Sequence, residues 1–281
     1  RAPAEPSIRR AVLLWDAMTD SFRVGLIVPS SNVTMETEIP AMLRSRPDIY
    51  GEEFTFHSSR MRMQSVTQEE LERMDAQSED CATLLSDARC DVLAYACLIG
   101  IMAQGPGYHE ESEAKLHEKT VDNGGDAPVV TSAGALVRAL DRLEAEQVAL
   151  IAPYVEELTQ TVIDYFESAG VEVIDYETLE CPDNLEVAQL DQRNLIDIAE
   201  GLDTENADAL VLSSCVQMPS LAAIQAAEDR FGLPTFSAAT ATTYEILDHL
   251  DLSTQVPGAG RLLDRRRSPR RPADRPGGKG L

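Results

Sequence analysis

An apolar stretch that stops at a proline occurs twice in this chain, as Arg23-Val24-Gly25-Leu26-Ile27-Val28-Pro29 and as Val148-Ala149-Leu150-Ile151-Ala152-Pro153. Short apolar runs without polar alternation predict strands buried on both faces, as in parallel sheets covered by helices. After the first run, the polar turn Ser30-Ser31-Asn32 leads into a periodic stretch from Thr34 to Leu43, where Glu36 and Glu38 suit the positive end of a helix. Phe54 to Ser58 reads as a second strand and Glu69 to Leu85 as a helix. Val92 to Ala96 is a third strand that delivers Cys97, and Val129 to Ser132 is a fourth that breaks at Gly134 into a helix from Ala135 to Leu143. The second copy repeats this order: Val171 to Asp175 follows Gly170, Ala209 to Ser214 delivers Cys215, and Thr235 to Ala238 precedes a helix from Thr240 to Leu250.

The two prolines are 124 residues apart and the two cysteines 118 apart. A drift of six residues is what loop lengths produce between two copies of one unit. The expected fold class is therefore α/β, with two similar Rossmann-like lobes, short parallel sheets, a pseudo-twofold relation and the active site in the cleft between them. The expected boundaries are an N-terminal extension at 1–21, lobes at 22–143 and 144–263, and a basic, disordered tail at 264–281. Ligands of open α/β sheets sit beyond the carboxyl ends of the strands. Both Cys97 and Cys215 fall at such ends, so facing lobes would put one thiol on each side of a shared cleft.

Composition removes several chemistries. Eight Arg or Lys and two Asp fall in the last 21 residues, leaving a net charge of −30 on the other 260. Such an acidic body repels phosphate backbones, so no nucleic-acid partner is expected. No apolar run approaches the ~18 residues of a membrane span. The patch Ala11 to Trp15 is too short for a secretory core, and Met18 is a candidate natural start. Five cysteines, an odd number, do not suggest a disulfide scaffold, and reduced thiols in a cytoplasmic protein are expected. Cys81, Cys90 and Cys181 read as structural or incidental. There is no Gly-x-Gly-x-x-Gly or Walker pattern, and His57, His109, His117 and His249 have no metal-ligand spacing with the cysteines. A thiol reaction without cofactor or metal remains.

Four strings carry a family resemblance: Val28-Pro29-Ser30-Ser31-Asn32-Val33-Thr34-Met35-Glu36-Thr37-Glu38, His57-Ser58-Ser59-Arg60-Met61-Arg62-Met63, Tyr95-Ala96-Cys97, and Cys215-Val216-Gln217-Met218-Pro219-Ser220. Over about residues 22 to 263 the chain resembles the maleate cis-trans isomerases of the aspartate/glutamate racemase superfamily. That resemblance implies a cofactor-free enzyme whose two lobes enclose a small dicarboxylate, maleate, between paired cysteines. It implies Cys97 as nucleophile and Cys215 as its partner. Asn32, Tyr154 and Asn184 would hold carboxylates or orient the thiols, and the backbone amides of Leu98 and Val216 would receive carboxylate oxygens. A homodimer or higher homo-oligomer is the expected assembly. Each assignment has a plainer reading beside it: Asn32 shaping its turn, Tyr154 packing in the core or rim, Asn184 capping a helix that begins near Leu185. Arg60 and Arg62 resemble carboxylate clamps, but structural or lobe-to-lobe ion pairs explain them as well, and they stay outside the catalytic set.

The implied chemistry is addition of a Cys97 thiolate to the cis alkene, rotation about the resulting single bond and elimination to fumarate. Two thiolates facing a dianion would repel, so one thiolate and one thiol are expected at rest, from a modest lowering of one thiol pKa. The competing readings are a two-cysteine racemase, a decarboxylase of arylmalonate type, which needs one of the two cysteines, and a non-catalytic small-acid binding protein.

Overall fold

The computed structural model describes residues 20–46, 51–63 and 68–264. The Ala11 to Trp15 patch, Met18 and the arginine run from Arg265 lie outside the described residues.

Eight strands form two four-stranded sheets, all neighbours parallel. The first contains β1 (Ser21–Pro29), β2 (Glu53–Met61), β3 (Val92–Tyr95) and β4 (Val129–Thr131), and the second β5 (Gln147–Ala152), β6 (Glu172–Thr178), β7 (Ala209–Ser213) and β8 (Thr235–Ser237). Their orders, β2-β1-β3-β4 and β6-β5-β7-β8, are the same topology written twice. The inner strands β3 and β7 are buried along their whole length, as apolar runs without alternation require, whereas the edge strand β6 is mostly half-exposed.

In each sheet the chain leaves the first strand toward one edge and returns on its other side, so the connection reverses between β1 and β3 and again between β5 and β7. A crevice opens beyond the strand ends at such a switch point. The ladders end there in matching fashion. Ala96 N–H donates to Ile27 O at 2.9 Å, and Ser214 N–H to Ile151 O at 3.1 Å. Each donor is the residue before a cysteine, and each acceptor lies two residues before a proline. The repeat read from sequence is thus a repeat of backbone register.

Two helices follow the last strands of their sheets, Ser132–Leu143 and Ala238–His249, and pack on each other across the pseudo-twofold. Arg138 and Arg142 of the first pair with Glu245 of the second at 2.8 and 3.3 Å. Two sequence expectations need correction here. The helix expected from Ala135 already begins at Ser132, because Thr131 caps it by accepting the Gly134 N–H at 3.0 Å, so Gly134 lies in its first turn. The helix expected over Glu69 to Leu85 is two helices, Gln68–Asp75 and Ser78–Asp87. Asp75 is held inward by the hydroxyls of Tyr95 and Tyr108 at 3.0 and 2.6 Å, and the Gln77 side chain closes the first helix on Arg73 O at 3.0 Å.

Candidate active site

Beyond the ends of β1, β3, β5 and β7, the residues Asn32, Cys97, Leu98, Tyr154, Asn184, Cys215 and Val216 line one cavity. All seven residues singled out from sequence therefore come together, from both lobes. The cavity is tight, about 20 Å³, room for roughly one water molecule. A larger groove of about 800 Å³, with His109, Arg138 and Tyr165 in its wall, shares no lining residue with it. Of the two, the smaller one alone holds thiols, and the histidine of the larger groove is engaged with the Tyr165 hydroxyl at 2.6 Å.

Cys97 follows β3 and sits at the N-cap of the short helix Leu98–Met102, with its sulfur receiving the backbone N–H of Gly100. A side chain at Gly100 would put its Cβ 3.0 Å from that sulfur and 2.9 Å from Met74, so glycine keeps the approach open. As first residue of a helix, Leu98 has an N–H without an intrahelical acceptor. Cys215 follows β7 in a turn closed by Met218 N–H on Cys215 O at 3.2 Å, and Val216 occupies the place that Leu98 has in the other half. Three donors converge on the Cys215 sulfur: the Tyr154 hydroxyl, the Gln217 N–H at 3.4 Å and the Met218 N–H.

Both thiols are buried, and burial pushes Cys97 up to about 12 and raises Cys215 as well, each donor acting against that rise. The sulfurs also feel one another, which raises Cys97 further. Burial therefore works against the single resting thiolate expected from sequence, because desolvation outweighs the few donors that reach either sulfur.

The Asn32 Oδ1 accepts the N–H groups of Thr34 and Met35 at 3.2 and 3.1 Å. Two backbone donors require the oxygen there, so the NH2 group is what Asn32 has left to offer the cavity. Its turn-shaping and carboxylate-binding readings are therefore compatible. Asn184 Nδ2 donates to Ser31 Oγ of the other lobe at 2.8 Å. The cap of its short helix is Asp183, whose carboxylate accepts from Leu185 and Glu186, so the capping reading of Asn184 does not hold. Arg60 pairs with Glu36 and donates to Asn32 O at 2.9 Å, which makes it a brace of the Asn32 turn within its own lobe. Cys81 and Cys90 pack in the core, and Cys181 is half-buried.

Sequence reasoning gave Gln217 no role, although it lies two residues past Cys215 in a quoted string. It is buried and spans the lobes, donating to Ser31 O at 2.9 Å and Asn184 O at 2.7 Å. For Glu38 the sequence predicts only a helix-terminus charge. Its carboxylate instead crosses to the other lobe and accepts the N–H groups of Ser220 and Leu221, both at 2.7 Å. For Gln217 the available signal was a polar side chain between Val216 and Met218. Among the described residues, no group of three or more His, Cys, Asp or Glu is placed to hold a metal, and no helix is long and apolar enough to cross a membrane.

The sequence family described as arylmalonate decarboxylase matches residues 24–263. A maleate isomerase of Geobacillus stearothermophilus is 62% identical over 247 residues, covering 88% of this chain and 98% of the relative. Among solved structures, maleate isomerase from Pseudomonas putida S16 with maleate superposes with a TM-score of 0.86 at 52% identity, over 87% of this chain and 98% of that one. A cysteine-to-serine mutant of Nocardia farcinica maleate cis-trans isomerase, with a covalently bound succinylcysteine intermediate, superposes with a TM-score of 0.84 at 48% identity, over 87% and 98% of the two chains.

Proposed function

Because the chain belongs to the maleate isomerases of the aspartate/glutamate racemase superfamily, we propose that it converts maleate to fumarate by covalent catalysis at Cys97, with Cys215 as proton donor and acceptor. The observation that carries this reading is the pair of thiols from opposite lobes lining one cavity with three carboxamide side chains, those of Asn32, Asn184 and Gln217.

In the proposed cycle the Cys97 thiol loses its proton to solvent and its sulfur bonds to one alkene carbon. The alkene electron pair moves toward the other carbon and its carboxylate, and Cys215 delivers a proton to that carbon. The product is a succinyl thioether on Cys97 and a thiolate on Cys215, the latter met by the Tyr154 hydroxyl and two backbone N–H groups. Rotation about the new single bond follows. Cys215 then takes back the proton, the C–S bond breaks, fumarate leaves and Cys97 regains a proton from solvent. The adduct in the Nocardia farcinica relative is a succinylcysteine, in which both former alkene carbons are saturated. That supports a proton delivered to the carbon beside the C–S bond. The N–H groups of Leu98 and Val216 and the NH2 groups of Asn32 and Asn184 would hold the carboxylates and stabilise charge developing on them.

Purified protein incubated with maleate in deuterium oxide and followed by proton NMR tests the reading. Fumarate should appear. Exchange into an amino acid or hydroxy acid without maleate conversion would instead point to a racemase. We also place the enzyme in the cytoplasm as a homodimer or larger homo-oligomer without nucleic-acid partners. The unpaired cysteines and acidic body support the compartment and the missing nucleic acid; analytical ultracentrifugation tests the assembly.

A further inference from the structure

We propose that Gln217 is the positioning residue that sets both asparagines of the site in register with Cys215, an assignment that rests on the isomerase reading above. Its carboxamide has four bonding positions, and all are filled. Nε2 donates to Ser31 O at 2.9 Å and to Asn184 O at 2.7 Å; Oε1 accepts from Val33 N–H at 2.9 Å and Thr34 N–H at 3.4 Å. The backbone N–H of the same residue reaches the Cys215 sulfur at 3.4 Å.

These contacts are selective in what they touch. Ser31 and Val33 flank Asn32, so the carboxamide grips the Asn32 turn on both sides. Thr34 N–H is shared between Gln217 and the Asn32 oxygen, which ties the orientation of the Asn32 amide to the position of Gln217. On the other lobe Gln217 holds Asn184 itself. One buried side chain thus links two carboxylate-binding groups, separated by more than 150 positions in sequence, to a reacting thiol.

Only a carboxamide of this length can do so. Two carbonyls need donors and two amides need an acceptor, on one planar group. An ionised glutamate of the same shape would turn an oxygen toward two carbonyl oxygens, and asparagine is one methylene shorter. Displacing groups at a reacting centre by about 1 Å costs on the order of 10²-fold in rate. A side chain that merely held the lobes together would change thermal stability and leave the kinetics of the folded enzyme unchanged.

The experiment compares wild type, Gln217→Glu, Gln217→Ala, Asn184→Ala and the Asn184→Ala/Gln217→Ala double variant in maleate kinetics, with thermal melts to confirm folding. Gln217→Glu should lose about 10²-fold in kcat/KM at pH 8. Its deficit relative to wild type should shrink as pH falls, because protonation of the new carboxyl restores one donor. The double variant should lose at least threefold less than the product of the single losses, since part of the Gln217 effect runs through Asn184. A folded Gln217→Glu or Gln217→Ala enzyme within threefold of wild type overturns the assignment, as does a deficit independent of pH with single effects that multiply. If wild type forms no fumarate, the isomerase reading fails instead, and the assignment is then decided by the modification rate of Cys215 with methyl methanethiosulfonate, read by mass spectrometry. A rate changed at least fivefold in Gln217→Ala supports it, and an unchanged rate overturns it.

Discussion

The two halves bring their cysteines to the same ladder position and then surround them differently. Around Cys97 the one donor to sulfur among the described residues is the Gly100 N–H, and the Asp75 charge, held by the Tyr95 and Tyr108 hydroxyls, disfavours a thiolate further. Around Cys215 a phenol and two backbone N–H groups face the sulfur. A poorly solvated thiolate is hard to form but strongly nucleophilic, because nucleophilicity rises with thiol pKa. A thiolate met by three donors suits a group that gives up a proton and takes it back. The duplicated strands supply two equivalent places, and a helix start after Cys97 against a turn and the Tyr154 hydroxyl at Cys215 make them unequal.

Exchanging the two sulfurs for oxygen breaks this comparison most sharply. Cys97→Ser should lower kcat by at least about 10⁴-fold, whereas Cys215→Ser should lower it by about 10²- to 10⁴-fold, the usual range for a general acid or base. Mass spectrometry of Cys215→Ser after mixing with maleate should find one substrate mass on Cys97. An adduct that forms on Cys215 in Cys97→Ser, with none on Cys97 in the converse variant, reverses the two roles.

Tyr154→Phe removes a donor from one thiol only. A loss of roughly 10- to 10²-fold in kcat is expected, in keeping with one hydrogen bond to a charged group. The Cys215 thiol pKa should move further up while adduct formation on Cys97 persists. Equal impairment of both steps would place the tyrosine on the substrate instead.

Titration sharpens the contrast through a readout independent of turnover. The thiolate ultraviolet absorbance of wild type minus that of Cys97→Ser should show no step between pH 6 and 9, because burial pushes Cys97 up to about 12. A thiol raised in the folded state stays protonated while its unfolded counterpart ionises. Its contribution to stability is therefore complete below about pH 8.5 and is lost as pH climbs toward 12. Denaturant midpoints should fall less steeply across that window in Cys97→Ser. A step below pH 8 would restore the single resting thiolate that the sequence alone suggested.

Burial of both sulfurs opposes that suggestion, for a physical reason that bears on what a sequence discloses. The strands along the chain, the repeat and the place of both thiols at strand ends were legible, because apolar runs and prolines are local signals, whereas the strand order within each sheet is set by pairings distant in sequence. The break at Ala76-Gln77 was not, since the tyrosines that hold Asp75 come from β3 and from the helix Tyr108–Asp122. The state of the thiols was not either: it is set by how completely two lobes exclude water from between them. The bridging roles of Gln217 and Glu38 belong to the same class, being contacts across about 180 residues of chain. The family strings included both residues, but a string does not say which partner a side chain meets.

The smallest expected effect concerns Glu38, which asks whether the seam between the lobes depends on charge or on hydrogen bonding. The carboxyl is buried, and burial raises its pKa against the pull of the Ser220 and Leu221 N–H groups and the Ser220 hydroxyl. Those two N–H groups open the helix Leu221–Phe231, so Glu38 caps from another lobe a helix whose own N-cap residue, Ser220, makes no side-chain cap. Glu38→Gln retains an oxygen for both donors and removes the cost of burying a charge. Its stability should lie within about 1 kcal/mol of wild type, since the lost charge-assisted bonds and the relieved desolvation oppose each other. Glu38→Ala leaves two buried donors without an acceptor and should cost about 2 to 4 kcal/mol by urea denaturation. If Glu38→Gln proves as damaging as Glu38→Ala, the negative charge itself holds the seam, and the lobes are joined by electrostatics rather than by a cap.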